Sequence, residues 1–138
     1  MINIYVIGVF DLFHTGHVEL LRRSKELGDR LIVAINGDQM VSKYKRKPFM
    51  SELDRLKIVK SCRYVDEAFI VEGFDNKEFL IEHKISKIVH GDDWERESYL
   101  KQIRVDESFL EDHNIEMVFL PYTEGISTGE LIKKIKES

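Results

Sequence analysis

Five apolar runs, over 2–7, 31–35, 68–71, 85–90 and 115–120, alternate along the chain with stretches patterned for amphipathic helices. Strands separated by helix-length segments pair in parallel, because each return passes through a crossover helix, and a parallel sheet must be covered on both faces. The expected fold class is therefore α/β, a Rossmann-like doubly wound five-stranded parallel sheet with helices on both faces. In such a sheet the carboxyl ends of all strands share one edge, and ligands bind along it.

The helical segments are bounded by recognisable signals. Over 17–27, Val18, Leu20, Leu21 and Leu27 form one stripe with Arg22, Arg23, Lys25 and Glu26 largely opposite, and Gly28 ends the helix. Asn36-Gly37-Asp38 closes the second strand as a turn. Ser51 is a good N-cap for a helix to about 61, with Leu53, Leu56, Ile58 and Val59 as its apolar face. A helix is expected over about 76–83, and a longer polar helical stretch up to about residue 113. Pro121 stops the fifth strand, and Ser127 or Thr128 caps a last helix carrying Leu131, Ile132 and Ile135. No repeat or linker divides the chain, so residues 1–138 read as a single domain.

The turn after the first run carries Asp11-Leu12-Phe13-His14-Thr15-Gly16-His17. A helix N-terminus in that position offers unpaired N–H groups and partial positive charge, which suits phosphate. His14 and His17 add two donors on the same side, and Gly16 lets the backbone come close. Zinc ligation is an alternative for the two imidazoles, but helical zinc sites use a spacing of four with an intervening glutamate, which is absent. Capping and core filling are the other structural role open to them.

A net charge of −4 argues against a nucleic-acid partner. Against that background Lys43, Lys45, Arg46 and Lys47 form a local basic concentration, either a solvated loop or a flap that closes over polyphosphate. The single cysteine, Cys62, excludes an internal disulfide, fits a reducing compartment and reads as a small buried apolar residue. No leader and no membrane-spanning run is evident, so the expected location is cytoplasmic with no membrane partner. With all strands parallel, the loops at 11–17, 43–47, 91–94 and 123–128 should ring one crevice.

Gly8-Val9-Phe10-Asp11 followed by His14-Thr15-Gly16-His17 resembles the signature of the nucleotidyltransferase superfamily. Arg63-Tyr64-Val65-Asp66-Glu67, Gly91-Asp92-Asp93-Trp94 and Thr123-Glu124-Gly125-Ile126-Ser127-Thr128 are similar to cytidylyltransferase segments at nearly the same spacing. Over almost its full length the chain resembles the bacterial glycerol-3-phosphate cytidylyltransferases. The resemblance implies transfer of CMP from CTP to a small phosphorylated alcohol, with Mg²⁺ arriving on the nucleotide and a homodimer as the assembly.

It also implies roles. His14 and His17, with Lys45 and Lys47 of the basic segment, are the catalytic candidates. The nucleotide would lie against Val9, Phe10, Asp11, Thr15 and Gly16 from the first turn and against Gly91, Asp92 and Trp94. Thr123, Gly125, Ile126, Ser127 and Thr128 would complete that contact. Asp11, Arg55, Arg63, Asp93 and Tyr122 are the acceptor candidates, with Asp11 and Asp93 also able to face Mg²⁺. Two positions depart from the family pattern: Tyr122 stands where an arginine is usual, and Gly129 follows Thr128 where a larger side chain is more common. A tyrosine lacks the charge and bidentate fork of arginine, so a phosphate contact expected there is lost or moved.

Three other functions stay open at this point. A phosphoethanolamine or phosphocholine acceptor would bring a cation and call for an aromatic or acidic pocket. An adenylyltransferase acting on a heptose phosphate or a flavin mononucleotide would share the first motif. A nucleotide-binding regulatory module would bind without turnover.

Overall fold

Every neighbouring pair of strands is parallel in the single sheet of the computed structural model, which describes residues 1–138. The strands are β1 (Asn3–Gly8), β2 (Arg30–Asn36), β3 (Glu67–Val71), β4 (Ile85–Gly91) and β5 (Glu116–Leu120), in the order β3-β2-β1-β4-β5. β1 is central because Ile4, Tyr5 and Val6 are fully enclosed on both faces. The chain leaves β1 toward β2, while β4 lies on the other side of β1. Loops after β1 and β4 therefore diverge and open a crevice at this switch point.

Side chains alternate between two cores. Ile4, Val6, Leu31, Val33 and Ile35 meet Leu21 of α1 (Thr15–Lys25) and Val59 of α3 (Glu52–Lys60). Tyr5, Ile7, Ile32, Ala34 and Ile88 face the other way. They meet Met40 of α2 (Asp38–Ser42), Leu80 of α4 (Lys77–Glu82), Tyr99 and Leu100 of α5 (Arg96–Gln102), and Leu110 of α6 (Glu107–Asp112). α7 (Thr128–Glu137) closes the chain. Full burial of a side chain such as Leu21 is worth about 1.5–3 kcal/mol and anchors α1, whose N-terminus carries the histidines. No helix is long and apolar enough to cross a membrane.

Three elements differ from expectation. The turn at Asn36-Gly37-Asp38 leads into the short α2. The polar stretch before residue 113 is two helices, because Arg104 takes a left-handed conformation (φ 61°) and Val105 N–H donates to Leu100 O, ending α5. Asp106 then caps α6 by accepting from Phe109 N–H at 2.8 Å. In α3, Leu53 is 69% exposed, and the inward stripe includes Arg55, which is 0% exposed, and Val59. Cys62 is half-buried against the α1/α3 core.

Candidate active site

A cavity of about 470 Å³ opens at the carboxyl ends of the strands. Its walls include Val9, Phe10, Asp11, His14, Gly16 and His17 from the first turn, Lys45 from the basic segment, and Gly91, Asp93 and Trp94 after β4. Tyr122, Thr123, Ile126, Ser127 and Thr128 close the ring. Thr15, Lys47, Asp92 and Gly125 lie outside this lining, as do Arg55 and Arg63. Arg46 of the basic segment lines it too, and so do Arg23, Asn36, Tyr44, Asn76, His90, Tyr99 and Gln102, which sequence reasoning did not single out as site residues. A signal existed for His90: alternation in β4 puts it beside Ile88 on one face, at the strand's carboxyl end, where a polar residue has no core to enter.

The histidine pair is held by the backbone. Gly16 N–H donates to His14 Nδ1 at 3.0 Å, and His14 N–H donates to His17 Nδ1 at 3.1 Å, a reciprocal cap on α1. Both Nδ1 atoms are thus acceptors, which puts the proton of each neutral ring on Nε2. The rings stack with centroids 3.8 Å apart. Burial pushes His17 down to about 3, with His14 adding to the effect, and burial also lowers His14. Near neutral pH the turn therefore presents two uncharged Nε2–H donors. A side chain on Gly16 would meet the His14 ring at 2.8 Å, so this geometry requires glycine. Phe10 and Leu12 both adopt positive φ (56° and 49°), strain of about 1–3 kcal/mol per residue concentrated in the same loop.

Asp11 is 3% exposed, and its carboxylate accepts from Arg46 Nη1 (2.8 Å), Phe49 N–H (2.9 Å) and Met50 N–H (3.0 Å). Burial pushes its pKa up, but those hydrogen bonds outweigh it and hold the group below the ordinary carboxylate range. Asp11, expected at the acceptor or Mg²⁺, lines the cavity, and its oxygens clamp the basic segment against the first turn. Lys45 and Arg46 thereby line the cavity, and Lys47 is exposed outside it.

Arg55, an acceptor candidate by sequence, is fully buried outside the cavity lining, in a supporting position. Its guanidinium donates to Met50 O (3.1 Å), Val9 O and Asn36 O (both 2.8 Å) and Asp38 Oδ1 (2.6 Å), tying together the loops after β1, β2 and the basic segment. Arg63 is exposed beside Tyr64 and precedes β3, at the amino edge of the sheet, so within one chain it is remote from the crevice.

The last helix docks on the first turn. Thr128 Oγ1 donates to Asp11 O at 3.3 Å and lies 3.4 Å from His14 Nε2, joining positions 114 apart in sequence. Ser127 caps α7 by accepting from Glu130 N–H at 3.1 Å. Across the mouth, burial and a hydrogen bond to Asp93 raise the pKa of the Tyr122 phenol. Asp93 Oδ1 lies 3.7 Å from His90 Nε2, and burial lowers the His90 pKa although Asp93 partly opposes it. No three His, Cys, Asp or Glu side chains converge as a metal cage. Asp93 is the second acid lining the cavity.

A parallel sheet whose switch point is ringed by two neutral imidazole donors, a basic segment and a helix N-terminus defines a nucleotide-handling α/β protein. Residues 5–134 match the family model described as Cytidylyltransferase-like, and the chain belongs to that family of nucleotidyltransferases. It is 39% identical over 136 residues to a glycerol-3-phosphate cytidylyltransferase of Bacillus subtilis (strain 168), covering 98% of both chains. It is 43% identical over 102 residues to an ethanolamine-phosphate cytidylyltransferase of Arabidopsis thaliana, covering 72% of this chain and 24% of that one. The crystal structure of the lipopolysaccharide core biosynthesis protein from Thermoplasma volcanium GSS1 superposes with a TM-score of 0.76 at 27% identity, covering 90% of this chain and 99% of that one.

Proposed function

We propose that this chain transfers CMP from CTP to glycerol 3-phosphate, forming CDP-glycerol and pyrophosphate. The observation that carries this reading is the pair of neutral Nε2–H donors of His14 and His17 beside the N-terminus of α7. Full-length similarity to the Bacillus subtilis enzyme supplies the acceptor.

The chemistry asks for donors more than for a base. A phosphomonoester has a second pKa of about 6, so its attacking oxygen is already largely deprotonated at neutral pH. As that oxygen bonds to the α-phosphorus and the bond to pyrophosphate breaks, charge builds on the phosphoryl oxygens. His14 and His17 donate to those oxygens, and Lys45 and Arg46 offset the approach of two polyanions. The N-terminus of α7, with Ser127 and Thr128, receives the β- and γ-phosphates. Mg²⁺ would travel on the triphosphate, neutralising it, with Asp93 facing it. A homodimer and a cytoplasmic location complete the reading.

Phosphoethanolamine is the second acceptor to weigh, because Tyr44, Trp94 and Tyr99 give the cavity aromatic walls and the Arabidopsis thaliana relative is named for that substrate. The deciding experiment supplies CTP or ATP, with Mg²⁺, to glycerol 3-phosphate, phosphoethanolamine, phosphocholine and flavin mononucleotide, and follows pyrophosphate. Release with CTP and glycerol 3-phosphate is expected. Release only with ATP, or binding of CTP with no release under any acceptor, would refute the reading.

A further inference from the structure

Three buried polar atoms on the walls of the cavity have no hydrogen-bond partner: Asn36 Oδ1, His90 Nδ1 and Tyr99 Oη. Asn36 is 7% exposed and Tyr99 2%. A buried polar atom left unpaired costs about 1–3 kcal/mol, and folded proteins pair nearly all of them. The one other such side-chain atom, Asn3 Oδ1, sits at the start of β1, at the opposite end of the sheet. Orphaned groups are thus concentrated in the cavity, where a ligand can satisfy them.

Strand alternation puts Asn36 on the face of Ile32 and Ala34, and His90 on the face of Ile88, the side covered by α5. Tyr99, from α5, stacks on the His90 ring with centroids 4.2 Å apart. α1 covers the opposite face. The trio and the triphosphate-gripping groups therefore stand on either side of the end of β1. In-line displacement at the α-phosphorus brings the nucleophile from the side opposite the departing pyrophosphate. With the outer phosphates at the tips of α1 and α7, the acceptor enters from the α5 side, where the trio is.

The chemistry of the trio specifies what it reads. Asn36 Nδ2 already donates to Tyr44 Oη at 2.8 Å, which leaves Oδ1 as an acceptor. Asp93 Oδ1, 3.7 Å from His90 Nε2, favours a proton on that nitrogen, and in that tautomer Nδ1 accepts, while the Tyr99 hydroxyl can donate or accept. Two acceptors and one hydroxyl complement a pair of neighbouring alcohols. A buried ammonium would need a carboxylate. Of the two acids lining the cavity, Asp11 is held by Arg46, Phe49 and Met50, and the CMP-transfer reading already gives Asp93 to the Mg²⁺ on the triphosphate.

We propose that Asn36, His90 and Tyr99 are specificity-determining residues that read the hydroxyls of a polyol phosphate acceptor and favour it over an aminoalkyl phosphate. This rests on the CMP-transfer reading and extends it to named side chains. The test measures kcat and KM for wild type, Tyr99→Phe and His90→Met with CTP and each of three acceptors. These are glycerol 3-phosphate, n-propyl phosphate, which has the same carbon skeleton without the hydroxyls, and phosphoethanolamine. Each variant should raise KM for glycerol 3-phosphate about tenfold, leave KM for CTP unchanged, and leave kcat/KM for n-propyl phosphate at the wild-type value. Retained n-propyl phosphate turnover also shows that the variant is folded. An unchanged KM for glycerol 3-phosphate, or an equal loss on both alkyl phosphates, would overturn the assignment. So would wild-type preference for phosphoethanolamine over glycerol 3-phosphate, a result that leaves CMP transfer intact. Absence of pyrophosphate from wild type with every acceptor would overturn the transfer reading and this inference together.

Discussion

Replacing Arg55 by methionine keeps a long side chain but strips four hydrogen bonds at once: to Met50 O, Val9 O, Asn36 O and Asp38 Oδ1. Leaving a buried hydrogen-bonding group without its partner costs about 1–3 kcal/mol, because that group stays desolvated. Here the carbonyls of Val9 and Asn36 are the groups stranded, while the Asp38 side chain is partly exposed and regains water. A loss of about 4 kcal/mol follows. For a domain of this size that lowers Tm by about 12–16 °C. Thermal unfolding followed by circular dichroism reads this directly, alongside KM for both substrates. Arg55→Lys keeps the charge without the fork and should fall between the two. If Arg55→Met melted within about 3 °C of wild type and raised only the acceptor KM, Arg55 would be an acceptor contact and the supporting role assigned to it would be wrong.

Stability should also fall as pH drops below 6.5. Burial holds His17 at about 3 in the folded state, so between the unfolded value of 6.5 and that pH the unfolded chain binds the extra proton. The contribution from His17 alone is about 2 kcal/mol between pH 7 and pH 5. His14 and His90, also lowered by burial, act in the same direction. His17→Asn retains an acceptor for His14 N–H and should lose correspondingly less on the same acidification in urea titrations; an equal loss would contradict the burial assigned to His17. Tyr122→Arg would set a cation beside Asp93 at the cavity mouth and should lower KM for CTP about threefold by added phosphate attraction. An unchanged KM for both substrates would remove position 122 from the binding site.

The parallel sheet and the convergence of loops were legible because apolar runs and helix caps are local signals, and parallel pairing then dictates where the loops meet. Ser51 and Ser127 mark helix starts that need no tertiary context, whereas α1 ends at Lys25 with Glu26 as its cap, short of the expected Gly28, which is kept small by Ile2 and Ile4 instead. Arg55 was not legible in this way. A charged residue on an inward helical stripe reads as surface until three carbonyls, two of them from the distant loops after β1 and β2, are seen around it. The clamp made by Asp11 was hidden for the same reason, since its partners, Arg46, Phe49 and Met50, lie more than thirty positions away. The break between α5 and α6 depends on Arg104 adopting positive φ, which an arginine does not advertise. Tyr99 read as an unremarkable residue of a polar helix, and only its stacking on His90 above the crevice gives it a role.

The histidine pair is tested most directly by single-turnover kinetics of His14→Ala and His17→Ala with CTP and glycerol 3-phosphate, each variant first shown to unfold cooperatively. Loss of one preorganised donor to the developing phosphoryl charge should slow CMP transfer by about 10²- to 10³-fold. A folded variant that transfers CMP at close to the wild-type rate would contradict the role given to that imidazole.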